Sequence, residues 1–352
     1  MSDPMTAAPA LPSADARLAE LSAWAAATLR TRDLAIAPAS ADASFRRYFR
    51  LTAGAAATLA PGQRTLIAMD APPAQEDSRP FVRVAALLRA AGVHAPEVIK
   101  ADLDRGFLLL TDLGDRTYLA ELDVASAPAL YSDAIDALIL WQRASRDGEL
   151  APYDEPLLRR ELDLFPDWYI AKHLGVALAP AQAQVLANAF RLVLDNNLAQ
   201  PRVFVHRDYH SRNLMVSRPN PGVLDFQDAV HGPITYDLVS LLRDAYIVWG
   251  EERQIDWAAR YWERARRAGL PVAPDFAAFW RDFEWMGVQR QLKVLGIFAR
   301  LAHRHGKTGY LADMPRVMAY LRGACARYPG LGPLYRLLDD LEGRRRTVGY
   351  TF

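Results

Sequence analysis

The chain has 352 residues, of which 51% are hydrophobic and 24% charged, and its formal net charge is +1. This balance is typical of a globular protein with two domains or lobes. The near-zero net charge gives no electrostatic case for binding nucleic acid or an anionic membrane surface. Cys325 is the one cysteine, which excludes an internal disulfide and a multi-cysteine metal site.

We expect no sorting signal at the beginning of the sequence. Residues 1–14 are rich in alanine and proline, and we predict that they form a disordered tail. They lack the basic start and long apolar core of a signal peptide, and no run in the chain approaches the roughly 18 apolar residues of a membrane span. We therefore expect a cytoplasmic protein, with no membrane and no protein partner implied.

The first third of the chain has a mixed α/β pattern. Apolar spacing predicts helices over 16–30 and 78–91, and strands over 44–51, 64–69, 97–101 and 106–111. A loose segment, 52–63, joins the first two strands. Gly92 is a natural end for the second helix.

After residues 111–115 the pattern changes to long helices. Helical spacing covers 133–144, 155–174, 180–198, 236–249, 256–268, 276–305 and 313–328. Pro166 should kink or split the second of these. We predict a bilobal α+β fold like that of protein kinases, with a sheet-containing N-lobe over 15–111, a link over 112–115 and a mostly helical C-lobe over 116–352. Ligand pockets favour such boundaries.

The most specific pattern of the chain is His206-Arg207-Asp208-Tyr209-His210-Ser211-Arg212-Asn213. It spells H-R-D-x-x-x-x-N, the spacing of the catalytic loop of kinases. Asp225 follows twelve residues after Asn213, where such enzymes place a second metal-binding aspartate. Short apolar runs at 203–205 and 214–216 should hold the loop between buried strands.

Each of these residues suits a step of phosphoryl transfer. Asp208 would orient the acceptor hydroxyl and take its proton, while Asn213 and Asp225 offer the hard oxygen ligands that suit Mg²⁺. Asp208 could instead cap a helix, but Asn213 and Asp225 in register favour a phosphotransferase that uses ATP and Mg²⁺. We interpret His206 as structural, a neutral imidazole that braces the loop.

The chain from about residue 44 onward resembles the aminoglycoside phosphotransferase family of small-molecule kinases. The resemblance rests on the loop motif, on Asp225, and on Gly232-Pro233-Ile234-Thr235-Tyr236-Asp237-Leu238, which lacks the first aspartate of the family's G-D-P-x-x-D-L region and has one more residue between Pro and Asp. Within the family it is similar to the bacterial anomeric kinases of N-acetylmuramate and N-acetylglucosamine in cell-wall recycling. Residues 44–50, 69–73, 224–229 and 286–298 carry that closer similarity.

The resemblance implies transfer of the ATP γ-phosphoryl group to the C1 hydroxyl of an N-acetylated amino sugar. Candidate contacts to this small-molecule acceptor are His210, Arg212, Asp244 and Arg290. A muramate would need a cation near its lactyl carboxylate, and the candidates are Arg212, Arg290 and Lys293. Arg290, Lys293 and Ile297 share one helical face by their spacing. Asp237 follows a turn and begins a helix, so a bracing role is natural for it.

Two departures from the general kinase pattern concern the phosphates. A glycine-rich loop is absent from 44–50, and the strand that usually carries a lysine ends in Ala68-Met69-Asp70. Arg46 or Arg50 should then meet the phosphates; on a strand they share one face, while Phe45, Arg47 and Phe49 lie on the other, buried face. Asp112 and Leu113 of the link would pass the adenine.

Two alternatives stay open at this stage. The acceptor could be another alcohol, such as an aminoglycoside, choline or homoserine. The chain could also be a nucleotide-binding pseudokinase, because the strand lysine is missing. The sequence leaves undecided the sugar preference, the anomer, the oligomeric state and the cation that replaces the lysine.

Overall fold

A computed structural model describes residues 14–31, 33–41, 45–54 and 63–343, which form two compact units. The first unit comprises the residues up to Arg89 together with Ala95–Gly114, and the second comprises Ala90–His94 and the chain from Asp115 onward. The predicted disordered tail lies outside the described residues, except for Ala14, which begins the first helix.

The first unit is built on an antiparallel sheet of five strands. Its elements are α1 (Ala14–Leu29), β1 (Leu34–Ala41), β2 (Arg47–Ala53), β3 (Thr65–Asp70), α2 (Arg79–Ala90), β4 (Val98–Asp102) and β5 (Phe107–Thr111). The strand order is β1-β2-β3-β5-β4. Alternate residues of the central strands point to one face, where Leu51 and Leu66 pair across the sheet and pack with Leu21 of α1.

The four predicted strands of this unit are confirmed with shifted ends, and one strand was missed. β1 is an edge strand whose ladder shifts between Pro38 and Ser40, and proline is tolerated mainly at such edges. The strand predicted over 44–51 forms over Arg47–Ala53, and Ser44 lies outside the described residues. The expectation that Phe45 is buried is wrong: it precedes the strand and is 62% exposed.

The second unit is mostly helical. Its helices are α3 (Tyr118–Glu121), α4 (Ala127–Arg143), α5 (Glu155–Leu164), a π-helix (Phe165–His173), α6 (Pro180–Ala199), α7 (Tyr236–Leu242), α8 (Glu251–Arg267), α9 (Phe276–His305), α10 (Met314–Arg327) and α11 (Gly332–Leu341). Two-stranded ribbons interrupt them, made of β6 (Arg202–Val205) with β9 (Val230–Pro233), and of β7 (Leu214–Met215) with β8 (Gly222–Val223).

Helix α9 is the long central element of this unit. It approaches the end of α5 so closely that a Cβ at Gly296 would lie 2.4 Å from the carbonyl carbon of Leu164, so glycine is required there. The split predicted at Pro166 is confirmed, since α5 ends at Leu164 and the π-helix begins at Phe165.

The helix predicted over 236–249 is wrong in its length, because α7 ends at Leu242. Two residues later, the Asp244 side chain accepts a hydrogen bond from the backbone N–H of Tyr246. A short acidic side chain that bonds nearby backbone competes with continuation of a helix. Helix α11 was not predicted. Among the described residues no helix is long and apolar enough to cross a membrane.

Candidate active site

Two buried aspartates anchor the loop His206–Asn213. Asp237 lies in the first turn of α7, and Asp244 lies two residues after the end of that helix. Asp237 accepts hydrogen bonds from the backbone N–H groups of His206 (2.6 Å) and Arg207 (2.9 Å). Asp244 accepts one from the backbone N–H of Ser211 at 2.9 Å. Burial raises the pKa of Asp237 to about 7, although the two backbone donors act in the opposite direction. The bracing role predicted for Asp237 agrees with this geometry.

The His206 ring supports the loop from inside. Its Nδ1 accepts a hydrogen bond from the backbone N–H of Asp208 at 3.2 Å. Burial lowers the pKa of His206 to about 4, so the ring is neutral near pH 7. Arg207 turns the backbone with a φ of 76°, a left-handed conformation that stores strain in a non-glycine residue.

Asp208 presents its carboxylate to a cavity in the second unit. No side chain or backbone group among the described residues donates a hydrogen bond to its carboxylate oxygens. Burial alone would raise the pKa of Asp208, but the positive charges of Lys293 and Arg207 oppose it, and that pKa lies below its ordinary value. The group is therefore an ionised carboxylate with room for a proton donor beside it.

Asn213 and Asp225 face each other across the β7–β8 ribbon. The Asn213 amide nitrogen donates to the backbone carbonyl of Asp208 at 3.0 Å and to Asp225 Oδ2 at 3.2 Å. Gln227 donates to Asp225 Oδ1 at 2.9 Å, and Asp225 adopts a left-handed φ of 60°. The two predicted metal ligands and the predicted base are thus brought together.

The chemistry of this oxygen set fits Mg²⁺. With its amide nitrogen committed to two acceptors, Asn213 retains its carbonyl oxygen as a ligand, and Asp225 supplies a carboxylate. No group of three or more His, Cys, Asp or Glu residues in the described ranges could hold a metal. Mg²⁺ needs no such cage, because it is commonly bound by one or two protein oxygens together with waters and substrate phosphates.

Glu161 of α5 joins two cations behind the loop. Its carboxylate accepts from Arg207 Nη2 at 2.5 Å and pairs with Lys293 Nζ at 2.8 Å, and it also accepts from the Tyr153 hydroxyl. Burial would raise the pKa of Glu161, but the Lys293 and Arg207 charges hold it below its ordinary value. We call Glu161, Arg207, Asp208 and Lys293 the charge cluster; its two cations balance its two carboxylates.

The cavity in front of Asp208 has a polar side and an apolar side. Its lining residues are Arg207, Asp208, His210, Tyr236, Ala245, Tyr246, Arg290, Lys293, Val294, Ile297 and Phe298. The predicted shared face of Arg290, Lys293 and Ile297 is therefore confirmed. His210 Nδ1 is buried there without a hydrogen-bond partner.

The structure separates the four predicted acceptor contacts. His210 and Arg290 line the cavity, whereas Asp244 and Arg212 do not. Both carboxylate oxygens of Asp244 accept from backbone N–H groups. Arg212 is exposed and stacks on the ring of Tyr246, with 3.7 Å from its guanidinium carbon to the ring centroid.

In the first unit, Arg50 and Asp112 bind each other. Arg50 Nε donates to Asp112 Oδ2 at 2.6 Å, and Arg50 Nη2 donates to the Gly114 carbonyl at 2.9 Å. Burial would raise the pKa of Asp112, but hydrogen bonds from Arg50 and Thr65 lower it. Leu113 is buried, and its backbone N–H and C=O make no hydrogen bond to another described residue.

Three other arginines of the first unit also face carboxylates. Arg46 precedes β2, is buried and donates to Glu76 at 3.1 Å, so the expectation that Arg46 and Arg50 share a strand face is wrong. Arg47 and Arg17 both pair with the fully buried Asp70 at the end of β3.

Glu161 and Lys293 were not predicted as a pair. A signal for Glu161 exists, since it lies on the face of α5 that buries Leu158 and Leu162, and a carboxylate on a core face needs a partner. The partner itself is more than a hundred residues away and has no signal in the sequence.

The chain is similar in sequence to known phosphotransferases. The profile of the phosphotransferase enzyme family matches residues 35–280. A Pseudomonas aeruginosa protein named N-acetylmuramate/N-acetylglucosamine kinase is 51% identical over 340 residues, covering 93% of this chain and 97% of that protein. A Neisseria meningitidis protein of the same name is 48% identical over 341 residues, covering 96% and 99%.

A solved structure shares the fold. The ADP-bound crystal structure of an aminoglycoside phosphotransferase superposes with a TM-score of 0.55 at 16% identity, covering 86% of this chain and 97% of that one. The predicted fold class, α+β and protein-kinase-like with an N-terminal sheet and a mostly helical remainder, is thereby confirmed.

Proposed function

Because the chain belongs to the phosphotransferase enzyme family, we propose that it transfers the γ-phosphoryl group of ATP to the anomeric C1 hydroxyl of N-acetylmuramate and N-acetylglucosamine. The names of its relatives support the acceptor. The observation that carries the proposal is the unpaired carboxylate of Asp208, which faces a cavity beside the Asn213–Asp225 pair. A role in peptidoglycan recycling and, because the donor is ATP, a cytoplasmic location belong to the same proposal.

The proposed base is Asp208. As the C1 oxygen attacks the γ-phosphorus, its proton passes to Asp208, the bond from the γ-phosphorus to the β,γ-bridging oxygen breaks, and ADP leaves. An anomeric hydroxyl is more acidic than an ordinary alcohol, which suits a carboxylate whose pKa is held low by Lys293 and Arg207. The anchored loop keeps this base in place before the acceptor arrives.

Asn213 and Asp225 are the proposed ligands of Mg²⁺. When bound, the ion would supply positive charge against the phosphate oxygens, where negative charge is concentrated. Gln227 orients the Asp225 carboxylate through its 2.9 Å hydrogen bond.

The acceptor is proposed to occupy the cavity. Tyr246, Ile297 and Phe298 provide an apolar wall against which a pyranose ring can pack, and His210 with its free Nδ1 can bond a sugar hydroxyl or the acetamido group. Asp244 and Arg212 act on this wall indirectly, through the loop and through Tyr246.

The first unit is proposed to serve the nucleotide. The free backbone groups of Leu113 can pair with the adenine edge, and Asp112 fixes the turn through Gly114. Arg50 and Arg46 remain our candidates for the phosphates, and each would exchange part of a carboxylate contact for a phosphate contact. We therefore propose that the N-lobe over 15–111 serves the nucleotide, that 112–115 links the lobes, and that the C-lobe over 116–352 holds the catalytic loop and the acceptor site.

The rival readings are disfavoured on physical grounds. A cationic acceptor such as an aminoglycoside or choline would meet Arg207, Arg290 and Lys293 in the cavity lining. A pseudokinase has no need of a carboxylate base held ionised and unpaired.

The test is ADP release from Mg-ATP with N-acetylmuramate, N-acetylglucosamine, glucose, kanamycin, choline and homoserine, with Asp208→Asn as the control. We expect turnover with the N-acetylated sugars and a phosphorus NMR signal of a sugar 1-phosphate. Turnover with another alcohol alone would reject the acceptor and keep the kinase, and silence with every acceptor would favour the pseudokinase.

A further inference from the structure

Arg290 of α9 is a buried cation without a counter-ion. Its residue is 4% exposed, and its Nη1 is buried with no hydrogen-bond partner. No hydrogen bond joins any of its side-chain nitrogens to the described part of the chain, and no carboxylate oxygen there lies within 4.0 Å of them. Asp237 interacts with it only at longer range.

The other two cations of the cavity lining, unlike Arg290, have a carboxylate partner in the protein. Arg207 and Lys293 both contact Glu161, and the charge cluster is neutral in total. Arg290 therefore carries the excess positive charge of the cavity. It lines the same cavity as the apolar wall of Tyr246, Ile297 and Phe298.

A buried guanidinium left unpaired is unfavourable, so a ligand that supplies its partner gains affinity. The partner that matches the planar fork is a carboxylate, which can accept two parallel hydrogen bonds. N-acetylmuramate carries such a group on its lactyl ether, whereas N-acetylglucosamine has a hydroxyl at the same carbon.

We propose that Arg290 binds the lactyl carboxylate of N-acetylmuramate and thereby sets the preference of this cavity for the acidic sugar over the neutral one. The proposal rests on the proposed function and adds the residue that distinguishes its two acceptors. It also assigns the muramate side chain to the α9 side of the cavity.

The experiment compares kcat/KM for N-acetylmuramate, its methyl ester and N-acetylglucosamine in the wild type, Arg290→Met, Arg290→Lys and the control Arg304→Met. Arg304 lies on the same helix and is exposed. In the wild type we expect the acid to exceed its ester by roughly 10- to 100-fold, the range of a charge-assisted hydrogen bond. Arg290→Met should abolish that difference and lower kcat/KM for N-acetylmuramate more than for the ester or for N-acetylglucosamine, while Arg290→Lys keeps part of the difference.

Three outcomes would overturn the proposal. Equal wild-type turnover of acid and ester means that the carboxylate is not recognised. An equal loss of kcat/KM for all three sugars in Arg290→Met and Arg290→Lys would mean that Arg290 acts on the transferred phosphoryl group or supports the fold. Thermal unfolding of the variants distinguishes these two roles. If the wild type phosphorylates neither sugar, the proposed function fails first and this proposal with it. The comparison of acid with ester needs no variant, so misfolding cannot obscure it.

Discussion

Replacing Glu161 by glutamine should destabilise the second unit strongly. Glu161 is 5% exposed, and its carboxylate is shared by Arg207 at 2.5 Å and Lys293 at 2.8 Å, with the Tyr153 hydroxyl as a further donor. Glutamine keeps the shape and one acceptor oxygen but removes the charge that balances two buried cations. Breaking a buried ion pair from one side typically lowers the free energy of unfolding by about 3–5 kcal/mol, and we expect Glu161→Gln to fall in this range.

Urea unfolding followed by tryptophan fluorescence measures this loss. Seven of the eight tryptophans follow Asp115 and only Trp24 precedes it, so the signal reports mainly on the second unit. The matched control is Asp163→Asn on the same helix, whose exposed pair with Arg159 at 2.9 Å should contribute less than about 1 kcal/mol. The double variant Glu161→Gln with Lys293→Met should lose less than the sum of the single variants, because it restores charge balance.

The pH dependence has a definite sign. The pKa of Glu161 is lowered in the folded protein, so its contribution is fully present above its unfolded pKa of about 4.3 and is lost as the pH falls through the folded value. The gap between wild type and Glu161→Gln should therefore be constant near neutral pH and should narrow below about pH 4. Midpoints of Glu161→Gln and Asp163→Asn that coincide at pH 7 would refute the reasoning.

Four further variants test the site. Asp208→Asn should keep its circular dichroism spectrum and lose about 10²- to 10⁴-fold in kcat; near-normal turnover would reject Asp208 as the base. Asn213→Ala and Asp225→Ala should each raise the Mg²⁺ concentration needed for half-maximal rate, and an unchanged Mg²⁺ titration in both would contradict their assignment. In Asp237→Asn, one of the two backbone N–H donors would face the amide NH₂ group instead of an oxygen acceptor. We expect the free energy of unfolding to fall by about 1–3 kcal/mol and kcat to decrease. Stability and kcat both equal to wild type would exclude the bracing role.

The parts of this fold that sequence reasoning predicted are those that depend on local order. The spacing from Asp208 to Asn213 and on to Asp225 defines a loop and a ribbon whose strands follow within a few residues, so their meeting could be anticipated. Apolar periodicity placed α9 at Phe276–His305, where the structure has it, because a continuous buried stripe leaves little choice of boundary.

The parts that escaped prediction are long-range pairings of charge. Periodicity identifies the buried faces of α5 and α9 but not that Glu161 meets Lys293 across them. The arginines around β2 were assigned to phosphates from their position alone, whereas Arg50 and Arg46 have carboxylate partners supplied by Asp112 and Glu76. An ion pair is decided by three-dimensional packing, which one-dimensional spacing does not encode.

The contact between Arg207 and Glu161 bears on how such an enzyme is controlled. In many signalling kinases, a phosphate added to a mobile segment supplies the anion that an arginine needs, and activity then follows the modification. Here α5 supplies that anion permanently as a carboxylate at 2.5 Å. The arginine of this loop therefore has its anion within the fold itself, and its contact needs no added phosphate.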